Sequence, residues 1–388
     1  MKITLKRTPE QVELIKAMAS RNRNVAYEAQ VALAEFIGPV LAEVINNAPT
    51  VSSLFQSLQF DADDNPSIPL DLYFDIADED YVKVWSQSHA GGLPSSQVLP
   101  TVQELKVATY TLDTAVDFDR RYAAKSRMDV VSKTFTRVAQ EILLKQDRTS
   151  ASLVMTSLAG ASIKSSPLLN DKQVFRTAVK GRVLIDDFNK LMTLAKRVNT
   201  SWIGGTPTVR TRGITDIVCS PEVVGNIRAM AYNPVNTSAG IKTTGGGSDT
   251  STESVIAAPE QLRAELYQNA GLDSFMGVNI LEFNEFGEGQ KFNTLFANAS
   301  SGNIAAFDGT THAAAFDSED EIIVGVDRSR DSLMRVVATD PDSQSEMNLI
   351  ADDQYSVRQN KIGYYGQIEE GRIVLDSRVL LGLVLDHS

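Results

Sequence analysis

SRMDVVSKTFTRVAQEILLKQDRTSASLVMTSLAG, residues 126–160, reads as one helix of unusual length, and the rest of the chain is organised around it. Ser126 and Asp129 stand in the S-x-x-D spacing of a capping box, in which the serine hydroxyl accepts from an orphan first-turn N–H and the carboxylate answers it. Apolar residues recur at Val131, Phe135, Val138 and Ile142, in steps of four, three and four, which is helical periodicity. The next glycine or proline is Gly160, placed as a C′ stop. At about 1.5 Å per residue, the roughly 33 residues between these signals span about 50 Å, more than the width of a small domain. The middle, Lys145-Gln146-Asp147-Arg148-Thr149-Ser150, has little apolar surface, so neither a heptad seam nor a membrane span fits. The alternative is two ordinary helices broken near Arg148.

The chain around this helix has 388 residues, 43% of them hydrophobic, enough for a substantial core and two or three domains. The net charge of −12 argues against a dedicated phosphate-binding surface, since such proteins carry excess cations, and any nucleic acid nearby is expected to be tolerated rather than gripped. The charge is uneven. Lys2, Lys6, Arg7, Lys16, Arg21 and Arg23 against Glu10 and Glu13 make residues 1–24 +4 and leave −16 for the remainder, a basic arm on an acidic body that reads as an intersubunit strap or a solvated helix face. A single cysteine, Cys219, excludes an intrachain disulfide framework. There is no uninterrupted apolar stretch of the secretory kind and no 18-residue apolar window, so a cytoplasmic, non-membrane protein is expected.

Taken in order, residues 9–58 are helical in character, with Pro9 at a first-turn position and Gly38-Pro39 expected to break or kink the second run. Ile68–Ile76 and Leu112–Asp119 alternate apolar and polar residues as half-buried strands do. The 35 or so residues between them are too long for a tight hairpin and too polar for a core, and are expected to touch a partner. Arg182–Asn199 is a second amphipathic helix. Ile214–Cys219 reads as a strand delivered into Ser220-Pro221, a cap followed by a proline at the first helical position. Thr243–Ser251 reads as a surface loop, Pro259–Gly271 as a third helix and Val278–Phe283 as a strand, which together give an α/β region over 201–285. Residues 286–320, rich in glycine, alanine and serine, read as a surface insertion. Strands follow at 322–326, 333–337, 355–365, 372–375 and 379–385, so the C-terminus is buried.

No motif of catalysis holds. Gly245-Gly246-Gly247-Ser248 lacks P-loop spacing and its lysine. Asp61-Ala62-Asp63-Asp64-Asn65 opens like a calcium loop, but Pro66 takes the glycine position and Leu72 that of the bidentate glutamate. His89, His312 and His387 lie far apart in polar contexts and, with one cysteine, give no metal-ligand spacing, so no metal or cofactor is expected. Cys219 at a strand end reads as a small buried hydrophobe.

The order of elements resembles the major capsid proteins of tailed bacteriophages, the Hong Kong 97-like fold. The local matches are Gly271–Gly287, Gln359–Gly366 and Asp376–Gly382, which are similar to the axial-domain strand and closing segments of phage coat proteins. The resemblance implies an α+β fold with an N-terminal arm at 1–58, an extended E-loop hairpin at 59–122, a peripheral domain with its spine helix at 123–200, an axial domain at 201–318 and closing strands of both domains at 319–388. It implies a non-enzymatic virion protein that assembles in the host cytoplasm into hexamers and pentamers of an icosahedral shell. The partners implied are copies of itself, a separate scaffolding protein, a portal, a possible decoration protein, and double-stranded DNA held by weak non-specific contact. Because the sequence opens directly on the arm, no fused scaffolding segment is expected. Lys6, Arg7, Arg21, Arg23, Trp85, His89 and Leu93 are the candidate intersubunit contacts. One branch of the family crosslinks subunits through an E-loop lysine, but nothing identifies a partner for Lys83, and that role is not carried over. Two other readings stand beside this one: the shell of a bacterial nanocompartment, which shares the fold, and an α/β enzyme with its site in 201–285.

Overall fold

The computed structural model describes residues 8–48, 50–61, 65–69, 104–161, 173–199, 213–232, 274–307, 313–317, 319–329, 332–339, 345–352 and 359–386. They form a mixed α+β chain grouped into two compact units. The first draws on Met1–Ile68, Glu104–Ala151 and Leu333–Ile373, the second on Pro69–Gln103, Ser152–Ser332 and Val374–Ser388. Among the described residues no helix is long and apolar enough to cross a membrane.

In the first unit, α1 (Pro9–Met18) and α2 (Arg23–Asn46) lead through a short 3-10 turn into β1 (Gln56–Asp61). Thr8 caps α1, its hydroxyl accepting the Gln11 N–H at 3.4 Å, with proline at the first helical position. Pro39 does not break α2 as expected. Pro39 and Glu35 both lie on the exposed side, so the carbonyl that loses its donor meets water instead of the core. β2 (Ser67–Pro69) pairs with β3 (Glu104–Lys106), and β4 (Tyr110–Asp119) follows. β4 keeps the alternation read from its sequence: Thr111, Asp113, Ala115 and Asp117 are exposed, while Leu112, Thr114 and Val116 are half-buried and Phe118 is buried.

The long helix is continuous. After α3 (Arg120–Ala124), α4 runs over Met128–Ala161, 34 residues, with Val131, Phe135, Val138, Ala139 and Ile142 buried. Both of its expected boundary signals act differently. Ser126 does not cap α4; it adopts a φ of 52° as the residue that ends α3. The Ser126 N–H donates to the Ala123 carbonyl at 2.9 Å and the Arg127 N–H to the Tyr122 carbonyl at 2.9 Å, the paired bonds of a Schellman motif. The first turn of α4 is closed by the Arg127 carbonyl, which accepts from Val130 at 3.1 Å. Gly160 is helical, and α4 continues one residue past it.

α4 does not break near Arg148, because its polar middle is buried against a charged partner. The first sheet has the order β1-β10-β12-β11 with β4 also on β12, where β10 is Leu333–Thr339, β11 is Asn348–Asp352 and β12 is Lys361–Val374. β12 is one 14-residue strand where two were expected. At its centre Glu370 is fully buried. Its carboxylate accepts from Arg335 Nε at 2.8 Å on β10, from the Tyr110 hydroxyl at 2.8 Å on β4, and from Gln146 Nε2 at 3.0 Å on α4, with Arg372 NH2 at 3.3 Å. Arg372 also donates to the Ser150 hydroxyl, and Ser150 to the Gln146 carbonyl at 2.7 Å. Burial alone would raise the Glu370 carboxyl, but Arg372 and Arg335 beside it hold it below the ordinary glutamate range. The same burial pushes the Tyr110 phenol up to about 12, helped by the charge on Glu370.

The second unit holds a six-stranded sheet ordered β5-β13-β9-β6-β8-β7. Its strands are β5 (Val174–Arg176), β6 (Asp216–Cys219), β7 (Ser274–Phe275), β8 (Val278–Glu282), β9 (Glu321–Val326) and β13 (Leu380–Leu385). α5 (Ile185–Asn199) lies on β13. α6 (Pro221–Tyr232) follows β6 as the Ser220-Pro221 signal predicts, the Val223 N–H donating to the Ser220 hydroxyl at 3.2 Å. β6 and β8 are parallel, Asp216 opposite Asn279. Among the described residues, 286–320 do not form the surface insertion expected: α7 (Lys291–Ala299) buries Phe292, Asn293 and Phe296, and Phe286, Ile304 and Phe316 are buried too, while 288–291, 301–303 and 313–315 stay exposed. Small residues here permit close packing, and the phenylalanines supply the apolar area. Arg176 is buried on β5 and pairs with Asp320 at 2.7 Å and Asp386 at 3.3 Å.

Two outcomes follow. Arg335→Ala should lower the unfolding free energy by roughly 3–5 kcal/mol in urea melts, because it strands a buried carboxylate. The folded Glu370 carboxyl is depressed, so its contribution is complete above the unfolded glutamate pKa and is lost as pH falls through the lower folded value. Urea midpoints taken downward from neutral pH should therefore fall less steeply in Glu370→Gln than in the wild type. Equal slopes would remove Glu370 from the acid response.

Candidate assembly surface

Within 201–285 the described groups are engaged structurally. The Ser220 hydroxyl caps α6 and donates to Glu321 Oε2 at 3.1 Å, so it is already committed on both sides. Cys219 is fully buried on β6, and burial, then the charges of Glu282 and Glu321, pushes its thiol up to about 12. Such a thiol is protonated at neutral pH and is no nucleophile. Among the described residues no three histidine, cysteine or acidic side chains converge into a metal-holding group. His89, His312 and His387, the glycine-rich loop Thr243–Ser251 and the expected helix Pro259–Gly271 lie outside the described residues.

Of the expected contact residues, Lys6, Arg7, Trp85, His89 and Leu93 likewise lie outside the described residues. Arg21 and Arg23 are exposed at the α1–α2 junction, where the Asn22 side chain caps α2 by accepting the Asn24 N–H at 3.3 Å. The Arg120 guanidinium donates to the Ser20 carbonyl, which brings this junction against α3.

The surface of the first unit carries three features that bear on contact. First, β2 and β3 pair with each other, and the Val107 N–H donates to the Pro66 carbonyl at 3.1 Å, so the described residues on either side of 70–103 stand next to each other. Second, β1 is the terminal strand of its sheet among the described residues, paired in parallel with β10 on one side, with Leu58 44% exposed. Third, a groove of ≈ 390 Å³ is lined by Glu10, Gln11, Leu14 and Ile15 of α1, Ala32, Leu33 and Phe36 of α2, and Met128 of α4. Phe36 is 54% exposed there. Sequence reasoning missed β1 and the groove. The alternation Leu58, Phe60 within Gln56–Asp61 was a usable strand signal, whereas the exposure of Phe36 follows only from how α1 crosses α2.

No protein-family profile matches the chain, and no curated protein does. Among solved structures it is similar to the mature capsid of bacteriophage PhiM1, at 12% identity and a TM-score of 0.46, covering 86% of each chain. It is also similar to the capsid of cyanophage P-SCSP1u, at 13% identity and a TM-score of 0.45, covering 86% of this chain and 87% of that one. A third is the holo-SrpI encapsulin complex of Synechococcus elongatus PCC 7942, at 12% identity and a TM-score of 0.42, covering 88% and 89%.

Because the Cys219 thiol is buried and protonated, the folded protein should resist alkylation at mildly alkaline pH and react fully once unfolded, as mass spectrometry would record. Cys219→Ala should cost about 1 kcal/mol, an ordinary single-substitution effect. Rapid alkylation of the native chain would reopen the enzyme reading.

Proposed function

We propose that this chain is the major capsid protein of a tailed bacteriophage, with a Hong Kong 97-like fold. Copies assemble as hexamers and pentamers into an icosahedral shell around double-stranded DNA, in the host cytoplasm, with a scaffolding protein and a portal as partners. The observation that carries this reading is the junction of two elements. The pairing of β2 with β3 brings the two ends of residues 70–103 side by side, and the strand that follows leads through one short helix into a 34-residue helix. The sequence of this connection is too long and too polar for a tight hairpin or a core, and a shell subunit gains interface area from any such segment its neighbours can cover. Residues 1–58 then serve as the arm, 59–122 as the E-loop, 123–200 as the peripheral domain, 201–318 as the axial domain and 319–388 as the closing strands of both. Closed point-group symmetry repeats each contact around the shell, so modest interfaces sum to a stable particle.

Negative-stain microscopy of the purified protein at high concentration should show closed shells or capsomer rings; a monomer under every assembly condition tried would sink the proposal. Particles that carry an enzyme in place of a genome would assign the chain to nanocompartments. Replacing residues 80–98 by an Asn-Gly turn should leave circular dichroism and the melting transition nearly unchanged while shells fail to form or fall apart. If that variant fails to fold, the connection belongs to the core.

A further inference from the structure

Three segments far apart in sequence converge on one corner of the first unit. The Arg120 side chain holds the Ser20 carbonyl, its backbone N–H donates to the Asn360 carbonyl at 3.2 Å, and Lys361 lies opposite Asp119 in the β4–β12 ladder. Segments 16–23, 117–127 and 360–361 carry eight cations, Lys16, Arg21, Arg23, Arg120, Arg121, Lys125, Arg127 and Lys361, against two acids, Asp117 and Asp119. Both acids are already engaged, Asp119 with Arg121 at 2.8 Å and Asp117 with Lys361. Lys16, Arg21, Arg23, Lys125 and Arg127 are exposed, and the Arg121 side chain is 80% exposed.

We infer that this corner is a contact surface for the phosphates of duplex nucleic acid, read without regard to sequence. The inference rests on the proposed enclosure of DNA and adds where on the chain that contact is made. A net charge of −12 does not oppose it, since charges more than about 8 Å away are largely screened at physiological ionic strength and a polyanion senses the local surplus. The surroundings favour phosphate over a protein partner. Beside the cations stand the exposed amides Asn22 and Asn24, with Val25, Tyr27 and Tyr122 the exposed large apolar side chains among the described residues there, whereas the centre of a protein interface is mostly apolar and depleted of lysine. Five of the eight cations are arginines, whose planar forks bind phosphate oxygens in pairs.

The test uses the full chain and a short fluorescent DNA duplex of arbitrary sequence, with anisotropy read between about 50 and 200 mM salt. The wild type should bind duplexes of different sequence equally, with a log–log salt slope of roughly −4 to −5, the value for about five phosphates. Changing Arg121, Lys125 and Arg127 together to Glu should weaken binding at least about tenfold and make the slope shallower by about one per cation. Arg21→Gln with Arg23→Gln, from the other arm of the corner, should move both readings the same way. A control with the same charge change made elsewhere on exposed sites, Lys106→Glu, Lys196→Glu and Lys291→Glu, should stay within about twofold of the wild type. Circular dichroism confirms folding of each variant. The inference is overturned if the corner variants bind as tightly as the wild type, or if the control loses as much as they do. It is also overturned if the triple variant keeps DNA binding and loses shells, since the occupant is then an acidic segment of a neighbouring copy. Shells without duplex binding at this corner would refute the inference and leave the capsid reading standing. Binding at the corner by a protein that never forms shells would do the reverse.

Discussion

A buried carboxylate with all of its bonds made is the constraint on which the first unit depends. Removing Glu370 from water is costly, and the cost is offset only because Arg335, Arg372, Tyr110 and Gln146 reach it from three strands and a helix. Each partner must stand in one place for this to work, so the register of β12 against β4 and the angular setting of α4 are determined together. Arg335 extends the network, its NH1 donating to Asn46 at the end of α2 at 3.0 Å. Gly371, next in β12, lets the backbone pass: a Cβ there would lie 2.7 Å from the Ala108 carbonyl. Tyr364, on the same strand, packs edge-on against Phe135 at 5.4 Å and so ties β12 to α4 a second time.

This arrangement explains how one helix can be both long and polar at its middle. Gln146 and Ser150 are buried without being apolar, because the groups they meet are ionic. Asp147, also buried, accepts the Ser52 N–H at 3.3 Å from the turn before β1. The second unit uses the reverse arrangement, a buried arginine between two aspartates, with Arg176 also donating to the Ala315 carbonyl at 2.7 Å. In both units the charged centre joins segments that are remote in sequence, which specifies pairing more narrowly than apolar contacts would.

The distribution of charge is likewise a product of folding. Lys16, Arg21 and Arg23 and the basic residues of 117–127 are separated by an acidic stretch of chain, and the contact between Ser20 and Arg120 is what brings their segments together. Exposed apolar positions such as Phe36, Leu58 and Ile350 are scattered through the sequence and become surface features only once their elements are packed.

Wherever one local period decided the outcome, sequence alone was sufficient. Val131, Phe135, Val138 and Ile142 determined α4; the alternation of Leu112 to Phe118 determined β4; and Ser220-Pro221 determined the start of α6. Signals that compete locally were settled by neighbours remote in the chain. Ser126 sits in capping-box spacing, but the chain must turn sharply after α3, so the serine takes a left-handed conformation and ends that helix instead. Pro39 could continue α2 because Glu35, whose carbonyl loses its donor, lies on the exposed side, and Phe286, Phe292, Phe296 and Phe316 became core because their rings meet in pairs. The partners of Glu370 and the convergence of Arg21 and Arg23 with Arg120 have no local signature at all. A charge finds its counterpart through space, and sequence separation says nothing about that distance.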